Sequence, residues 1–148
     1  MTLPDLSYRE TAEADVPFLR SLRERTMREI AERHRPWDPA EQEQRLRGAL
    51  DKGLVIRAGA KDVGLLKVVR RHNAVEVAQL QVLPEWQGRG IGSRIIQDLQ
   101  LECAAAGVPL VLHIHASSRA IAFFERHGFK SEACMTHFIG MRWSGAEC

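Results

Sequence analysis

Two periods of hydrophobic and polar residues alternate along the chain, and each change of period marks a new element. After a short strand pattern at residues 6–10, apolar residues recur at near-helical spacing over residues 15–34 and predict a first helix. This helix ends ahead of Pro36, because the residue before a proline is disfavoured in helical conformation. Asp38-Pro39-Ala40-Glu41 combines a capping box with proline at the first helical position, which predicts a second helix as far as Lys52.

The middle of the chain changes to the period of two that is typical of strands. Residues 54–60, 63–71 and 74–82 form three such stretches, separated by short turns, of which the first is expected at residues 61–62. Strands joined by turns this short pair with their neighbours in sequence, so the three stretches predict an antiparallel meander.

Helical periodicity returns over residues 91–106, and Gly107 ends this helix. An apolar stretch at residues 110–115 then predicts a buried strand. Because a helix joins it to the strand at residues 74–82, the two strands should run parallel in the sheet.

The last part of the chain predicts one more helix and two more strands. Ser117 or Ser118 can cap the helix, which ends at His127, and the strands follow at residues 129–133 and 136–143. The complete order, βααβββαβαββ, predicts an α/β (α+β) fold with a mixed central sheet of about seven strands flanked by about four helices. One domain is expected to cover the whole chain of 148 residues.

A glycine-rich turn, Gln87-Gly88-Arg89-Gly90-Ile91-Gly92, lies between the third strand of the meander and the helix that follows it. The first N–H groups of a helix have no partner inside it and lie at the positive end of its dipole, so this turn is suited to a phosphate. Gln87 and Arg89 add side-chain donors. Ser93-Arg94 stands where a P-loop needs Lys-Ser/Thr, and the glycine spacing is not that of a dinucleotide fingerprint. A tight turn without a ligand is the alternative.

The run from Leu80 to Gly92 resembles the acetyl-CoA motif of the GNAT superfamily of N-acetyltransferases. The core of that motif, Q/R-x-x-G-x-G/A, is matched by residues 87–92. A second family segment, A-x-x-x-Y-x-x-x-G-F, resembles residues 120–129, and residues 8–15 resemble a GNAT opening. The resemblance therefore covers nearly the whole chain.

The resemblance implies that acetyl-CoA is the co-substrate. In the family, the pantetheine arm bonds to the backbone of the strand before the glycine motif, and the glycine turn holds the pyrophosphate. The cofactor-binding residues implied in this way are Leu80, Gln81, Val82, Gln87, Gly88, Arg89, Gly90, Ile91, Gly92, Ser93, Ser117, Ser118 and Phe124.

Two positions depart from the family pattern. The tyrosine of the second segment, which is the general acid in many members, is Phe124 here and has no proton to give. The thiolate is therefore protonated by another group or leaves unassisted. The usual asparagine before that helix is replaced by Ser117 or Ser118, whose hydroxyl either accepts a cofactor amide bond or caps the helix.

Three side chains are candidates for the base that keeps the attacking amine neutral. Glu76 lies where histone-acetylating members of the family carry a glutamate base, and the alternative is a solvent-facing strand residue. His113 and His115 lie on the strand that borders the expected pantetheine gap, and either could take a proton directly or through water. The alternative for each is a structural histidine.

The resemblance assigns the acceptor site to the first two helices and the last two strands. Trp37 and His137 are the substrate-binding candidates, with plain packing as the alternative for the tryptophan. The expected function is N-acetyl transfer to a primary amine of a small molecule or peptide. The alternatives are an acyl-CoA-binding sensor or structural module without turnover, which Phe124 favours, and the transfer of a longer acyl chain.

The composition of the chain argues against some classes of partner. A net charge of +2, with the basic residues spread among acidic ones, argues against a nucleic-acid partner. No apolar run approaches a membrane span and the N-terminus has no signal pattern, so no membrane partner is expected. Cys103, Cys134 and Cys148 form no C-x-x-C pair, which predicts free thiols in a reducing cytoplasm, and no spacing predicts a metal site. A homodimer is one possible state.

Overall fold

The computed structural model describes residues 5–33, 35–134 and 137–145, without the side chains of residues 133 and 134. Within these residues, seven strands and four helices follow one another in the order that the sequence predicts. The helices are α1 (Val16–Glu32), α2 (Pro39–Gly48), α3 (Ile91–Ala106) and α4 (Ala120–Arg126). The strands are β1 (Leu6–Glu10), β2 (Gly53–Ala58), β3 (Lys61–Arg70), β4 (Val75–Val82), β5 (Leu110–His115), β6 (Lys130–Cys134) and β7 (Phe138–Trp143).

The strands form one mixed sheet in the order β1-β2-β3-β4-β5-β7-β6. The β4–β5 ladder is parallel, whereas the ladders β1–β2, β2–β3, β5–β7 and β6–β7 are antiparallel. The predicted fold class is therefore confirmed, including the parallel pair that α3 connects. The β4–β5 ladder consists of three residue pairs, from Val75–Leu110 to Val77–Leu112.

Some predicted bounds were wrong by a few residues. The helix α2 ends at Gly48, ahead of the predicted Lys52, and Lys52 itself takes a φ of 63° in the turn that follows. The β2–β3 turn lies at Gly59-Ala60 rather than at residues 61–62, because Gly59 readily adopts the left-handed φ of 61° that the hairpin needs. The predicted start of the last strand, at residue 136, lies outside the described residues.

The contacts divide the chain into two compact units, residues 1–67 with 79–92 and residues 68–78 with 93–148. In the first unit, α1 and α2 pack on β3 through one hydrophobic cluster. Each leucine buried in such a cluster contributes about 2 kcal/mol through removal of its surface from water. The cluster consists of Val16, Leu19, Leu22, Leu46, Ala49 and Leu65.

An arginine joins three elements of the first unit. Arg9 of β1 donates to Asp15 at 2.7 Å, just before α1, and to Asp62 of β3 at 2.9 Å. Asp15 also accepts the N–H of Ala12 at 2.8 Å. The bond from Arg9, more than any other influence, lowers the pKa of the Asp15 carboxyl. Asp15 therefore holds the start of α1 against β1 instead of capping the helix.

In the second unit, α3 turns its apolar face inward. Ile95, Ile96 and Cys103 are at most 1% exposed. Burial raises the pKa of the Cys103 thiol, so the thiol stays protonated at neutral pH. Among the described residues, no helix combines the length and the apolar character that crossing a membrane requires.

The backbone of β3 lies unusually close to that of β4 at Gly64. A Cβ at this position would lie 2.3 Å from the carbonyl oxygen of Gln81. Backbone cannot move aside as a side-chain tip can, so this position accepts only glycine without a shift of β4.

We expect Gly64→Ala to lower the free energy of unfolding by about 1–3 kcal/mol, the usual cost of overpacking a well-packed site. Gly48→Ala is the matched control, since a Cβ there meets nothing within 4 Å and an alanine in a helix is favourable. Urea unfolding of both variants measures the difference. Equal stability of the two variants would contradict the close approach.

Candidate active site

The glycine-rich turn takes the backbone from the end of β4 into α3. A short 3₁₀ helix, Pro84–Trp86, precedes it. Gly88 and Gly90 then adopt φ values of 74° and 86°, in the left-handed region that glycine tolerates. Backbone that alternates in this way turns successive N–H groups toward one side and forms a concavity suited to an anion. A Cβ at Gly88 would meet nothing within 4 Å, so the space beside the turn is open.

The two polar side chains of the turn bond to the chain just before it. Gln87 donates through Nε2 to the carbonyl of Val82 at 2.9 Å, and Arg89 donates through Nε to the carbonyl of Glu85 at 3.1 Å. The Arg89 guanidinium also lies 4.6 Å from the centre of the Trp86 ring. These bonds brace the turn, and a role of Gln87 and Arg89 as anion donors remains a prediction.

Residues Leu80–Val82 form the end of β4, beyond the three pairs of its ladder with β5. The side chain of Gln81 donates through Nε2 to the sulfur of Met27 in α1 at 3.0 Å. Its carbonyl oxygen faces the close approach at Gly64. This segment of β4 is thus fixed from α1 and from β3.

Two of the candidate bases lie in different surroundings. Glu76 is flanked by the buried Val75 and Val77, and its own side chain is 23% exposed and ion-paired with Arg71 at 2.9 Å. His113 is exposed on β5. Neither role is tested by this arrangement, and both remain predictions.

His115, at the end of β5, lies in a small aromatic group. Its Nδ1 accepts the N–H of Ser117 at 3.2 Å, which in the neutral ring assigns the proton to Nε2. The ring lies parallel to that of His137, with centres 6.3 Å apart, and edge-on to Phe138 at 5.4 Å. The structure thus brings together His115, Ser117 and His137, three residues that the sequence assigns to separate roles.

A contact that the sequence did not predict joins Ser93 to His127. Ser93 Oγ in the first turn of α3 lies 3.0 Å from His127 Nε2, and the His127 carbonyl accepts from Gln100 Nε2 at 2.8 Å. Burial, and to a lesser extent the charge of Arg126, lowers the pKa of His127. The imidazole is therefore neutral at pH 7 and orients the Ser93 hydroxyl beside the turn.

Trp37 lines an open cleft of about 470 Å³ in the first unit. The Arg28 guanidinium lies 5.9 Å from the centre of the tryptophan ring. The other residues of the cleft are Glu32, Arg33, Arg35 and Pro36.

A family model for the Acetyltransferase (GNAT) domain matches residues 50–131, which is more than half of the chain. The chain belongs to the GNAT acetyltransferase family. The matched range contains the glycine turn and all the candidate site residues except Trp37 and His137.

Solved structures share this fold, and a sequence relative matches part of the chain. PaiA N-acetyltransferase from Thermoplasma acidophilum, in complex with coenzyme A, is 16% identical over 95% of this chain and 99% of its own, with a TM-score of 0.74. The ribosomal-protein-S18-alanine N-acetyltransferase from Escherichia coli is 18% identical over 97% of both chains, with a TM-score of 0.68. Mouse Cysteine-rich protein 2-binding protein is 32% identical over 68 residues, 46% of this chain and 8% of that protein.

The GNAT tyrosine position, Phe124, is part of the core of the second unit. Its side chain is 7% exposed and lies edge-on to Phe123 at 5.0 Å and to Phe129 at 5.4 Å. An aromatic cluster of this kind packs without any polar atom. At the position where many GNAT members have a tyrosine hydroxyl, this chain has only contacts between apolar rings.

The serine pair before α4 takes a local role. Ser118 Oγ accepts the N–H of Ala120 at 3.1 Å, so it satisfies one of the free donors at the start of the helix. The Ser118 N–H donates to the carbonyl of His115 at 2.9 Å. A cofactor contact of Ser117 or Ser118 remains a prediction.

Arg23, which is only 6% exposed, was not predicted as a buried residue from the sequence. The signal was present in the spacing, because position 23 lies on the stripe of α1 that includes Leu19, Leu22 and Met27. A charged residue in such a pattern is usually interpreted as lying at the edge of the apolar stripe, where a long side chain reaches water.

We expect Phe124→Tyr to lower stability without raising kcat. The added hydroxyl enters the aromatic cluster, and burial of an unpaired hydroxyl costs about 1–3 kcal/mol. Phe123→Tyr is the control, because Phe123 is only half-buried on the same helix. Thermal unfolding and acetyl-transfer rates are measured on both variants. A clear rise of kcat with unchanged KM for Phe124→Tyr would mean that protonation of the leaving thiolate limits the native reaction.

The lowered pKa of His127 predicts a loss of stability in mild acid. As the pH falls through about 6.5, the unfolded chain gains a proton that folded His127 does not yet accept, so the free energy of unfolding decreases. We expect His127→Gln to reduce this decrease between pH 7.5 and 5.5 in urea unfolding. The same pH dependence in both proteins would contradict the assignment.

Proposed function

We propose that this protein transfers an acetyl group from acetyl-CoA to a primary amine of a small molecule or peptide. The observation that carries the proposal is the open glycine turn at the start of α3, with Gly88 and Gly90 both at positive φ, in a chain of the GNAT family. PaiA, with a similar fold, is described in complex with coenzyme A, which supports the same ligand class here.

The described residues fit the two polar parts of such a ligand. Acetyl-CoA supplies an acetyl group activated as a thioester. Backbone N–H groups of residues 88–92 and the dipole of α3 would hold the pyrophosphate. Backbone groups of Leu80–Val82, past the end of the β4–β5 ladder, would hold the pantetheine arm. Ser93, fixed by His127, adds a hydroxyl beside the first of these sites.

The attacking amine must lose a proton, and the side chains suggest how this chain would accept it. The Glu76 carboxylate pairs with Arg71 through one oxygen, Oε1. His115 already accepts the Ser117 N–H at Nδ1, so this nitrogen would have to release that bond before it could take a proton. Exposed His113 needs no such rearrangement, and we propose it as the first of the three candidate bases to test.

The leaving thiolate has no tyrosine to protonate it at position 124. A thiol has an ordinary pKa of about 8.5, so a thiolate is a fair leaving group near neutral pH without a dedicated acid. We infer that acetyl transfer proceeds without the usual acid. The buried Phe124 also supports the second candidate function, an acyl-CoA-binding sensor without turnover.

Acetyl-CoA should raise the melting temperature, because a ligand that binds only the folded state stabilises it by about 2.7 kcal/mol at a hundredfold excess over Kd. ATP and NADH should not. A release assay for free CoA with several amines and several acyl-CoAs then separates the two functions. Release with at least one amine is the result expected of an enzyme. Stabilisation without release on any amine would identify the sensor.

Replacement of Gly90 tests the turn itself. Gly90→Val should abolish acetyl-CoA binding in calorimetry, because valine disfavours positive φ and its side chain would enter the anion site. Gly59→Val is the matched control, since Gly59 also has positive φ but lies in the β2–β3 hairpin with open space around it. Undiminished affinity in the Gly90 variant would remove the turn from the site.

A further inference from the structure

Arg23 is a buried cation without an acidic partner. Only 6% of the residue is exposed. Its Nε donates to the neutral amide oxygen of Gln42 in α2, and no other hydrogen bond or ion pair of its guanidinium occurs among the described residues. Buried charges in proteins are normally paired, because removal of a charge from water is costly.

The other arginines of the chain make the contrast clear. Every arginine that forms a salt bridge in the described part has a side chain at least 34% exposed, as in the pair of Arg57 and Asp62. Carboxylates thus accompany the solvated arginines, and the buried arginine has none. If Arg23 were one half of a structural ion pair, a carboxylate would lie beside its buried guanidinium.

The charges around Arg23 compensate its positive charge only in part, because the charge of Glu41 raises its pKa whereas that of Arg45 lowers it. Glu41, on the neighbouring helix, is already bound by Arg35 and Arg45. Burial, followed by the charge of Arg45, lowers the pKa of Arg23 to about 10. At neutral pH the guanidinium is still charged, and an anion placed beside it would be strongly favoured.

The guanidinium can also be reached from outside. Every fully enclosed side-chain nitrogen or oxygen in the described part has a hydrogen-bond partner. Because the hydrogen bond of Arg23 among the described residues comes from Nε, its two terminal nitrogens are not fully enclosed and keep a small contact with solvent. Two parallel donors of this kind match the two oxygens of a carboxylate.

The position of Arg23 relates it to the proposed acetyl-CoA strand. Arg23 lies one helical turn before Met27, about 6 Å along the axis of α1. Met27 contacts Gln81 of β4 at 3.0 Å, in the segment proposed to hold the pantetheine arm. A small molecule could span this distance.

We propose that Arg23 binds a carboxylate of the acceptor, so that the substrate is an amine that also carries a carboxylate, such as an amino acid or an acidic peptide. The inference rests on the proposed acetyl transfer, which it makes more specific. The proposal explains why a charged guanidinium occupies a buried position. An apolar side chain of similar length at this position should leave the protein at least as stable.

The first test reads binding without turnover. In protein labelled with ¹⁵N, the Nε–H signal of Arg23 is followed during titration with N-acetylglycine and with N-acetylglycinamide, at constant ionic strength, with and without CoA. The carboxylate should shift this signal saturably and bind about tenfold or more tightly than the amide, the usual value of a hydrogen-bonded charge. An equal response to both compounds, or no response, would overturn the proposal whatever the outcome of the activity assays.

The second test compares amino acids with their amides as acceptors. Wild-type protein should prefer the carboxylate member of each pair through KM, and Arg23→Gln should lose that preference. Arg20→Gln is the control, since it makes the same charge change on the exposed side of α1, where Arg20 pairs with Glu43. Equal use of amino acids and amides by the wild type would reject Arg23 as the carboxylate site and leave acetyl transfer intact. An absence of CoA release on every amine would instead reject the transferase, and the titration would still decide the carboxylate site.

The third test separates binding from a structural role. Arg23→Met should keep or raise the melting temperature and abolish the response to N-acetylglycine, which is followed in this variant by calorimetry. A melting temperature lower by several degrees, with the affinity for N-acetylglycine unchanged, would assign Arg23 to packing and overturn the proposal.

Discussion

The whole candidate site depends on a backbone conformation that only glycine adopts easily. Gly88 and Gly90, both at positive φ, let the chain turn from β4 into α3 within a few residues, a conformation suited to turning successive N–H groups toward one side. The side chains nearby serve that conformation: Gln87 and Arg89 bond back to the preceding chain. The proposed recognition of a ligand by backbone would let the surrounding side chains vary, provided that the turn stays in place.

The order of the elements could be predicted because each has its own hydrophobic period and because turn and cap residues separate them. The bounds were less predictable where tertiary contacts decide them. The β2–β3 turn lies at Gly59, which adopts the left-handed φ of the hairpin, and Arg57 and Asp62 pair across the strand ends, a contact that the alternation of apolar residues does not predict. Asp15 likewise precedes α1 as a cap would, but its carboxylate bonds to Arg9 of β1.

Some features of the candidate site could be predicted from neighbouring residues in the sequence, whereas others depend on contacts between residues far apart in the chain. The glycine turn is contiguous in sequence and could be recognised from its residues alone. The Ser93–His127 contact joins positions 34 residues apart, and the Arg23–Gln42 contact joins positions 19 apart. Whether a charged residue on an apolar stripe reaches water or is covered by a second helix depends on packing, which the sequence of one helix does not specify. The roles of Glu76, His113 and His115 stay predictions for a related reason, since a base is defined by its distance to a bound amine.

The rate at which the enclosed thiol of Cys103 is alkylated reports on the opening of α3. A protonated thiol with no exposed surface reacts with alkylating reagents only when the helix opens, so its labelling rate measures the free energy of that opening when closing is fast. Because α3 also supplies the N-terminus beside the glycine turn, any ligand that tightens the start of the helix should slow labelling near its far end. Peptide mapping by mass spectrometry distinguishes Cys103 from the other two cysteines. Occupancy of the proposed site would thus be followed in the wild-type protein through the reactivity of a residue outside that site.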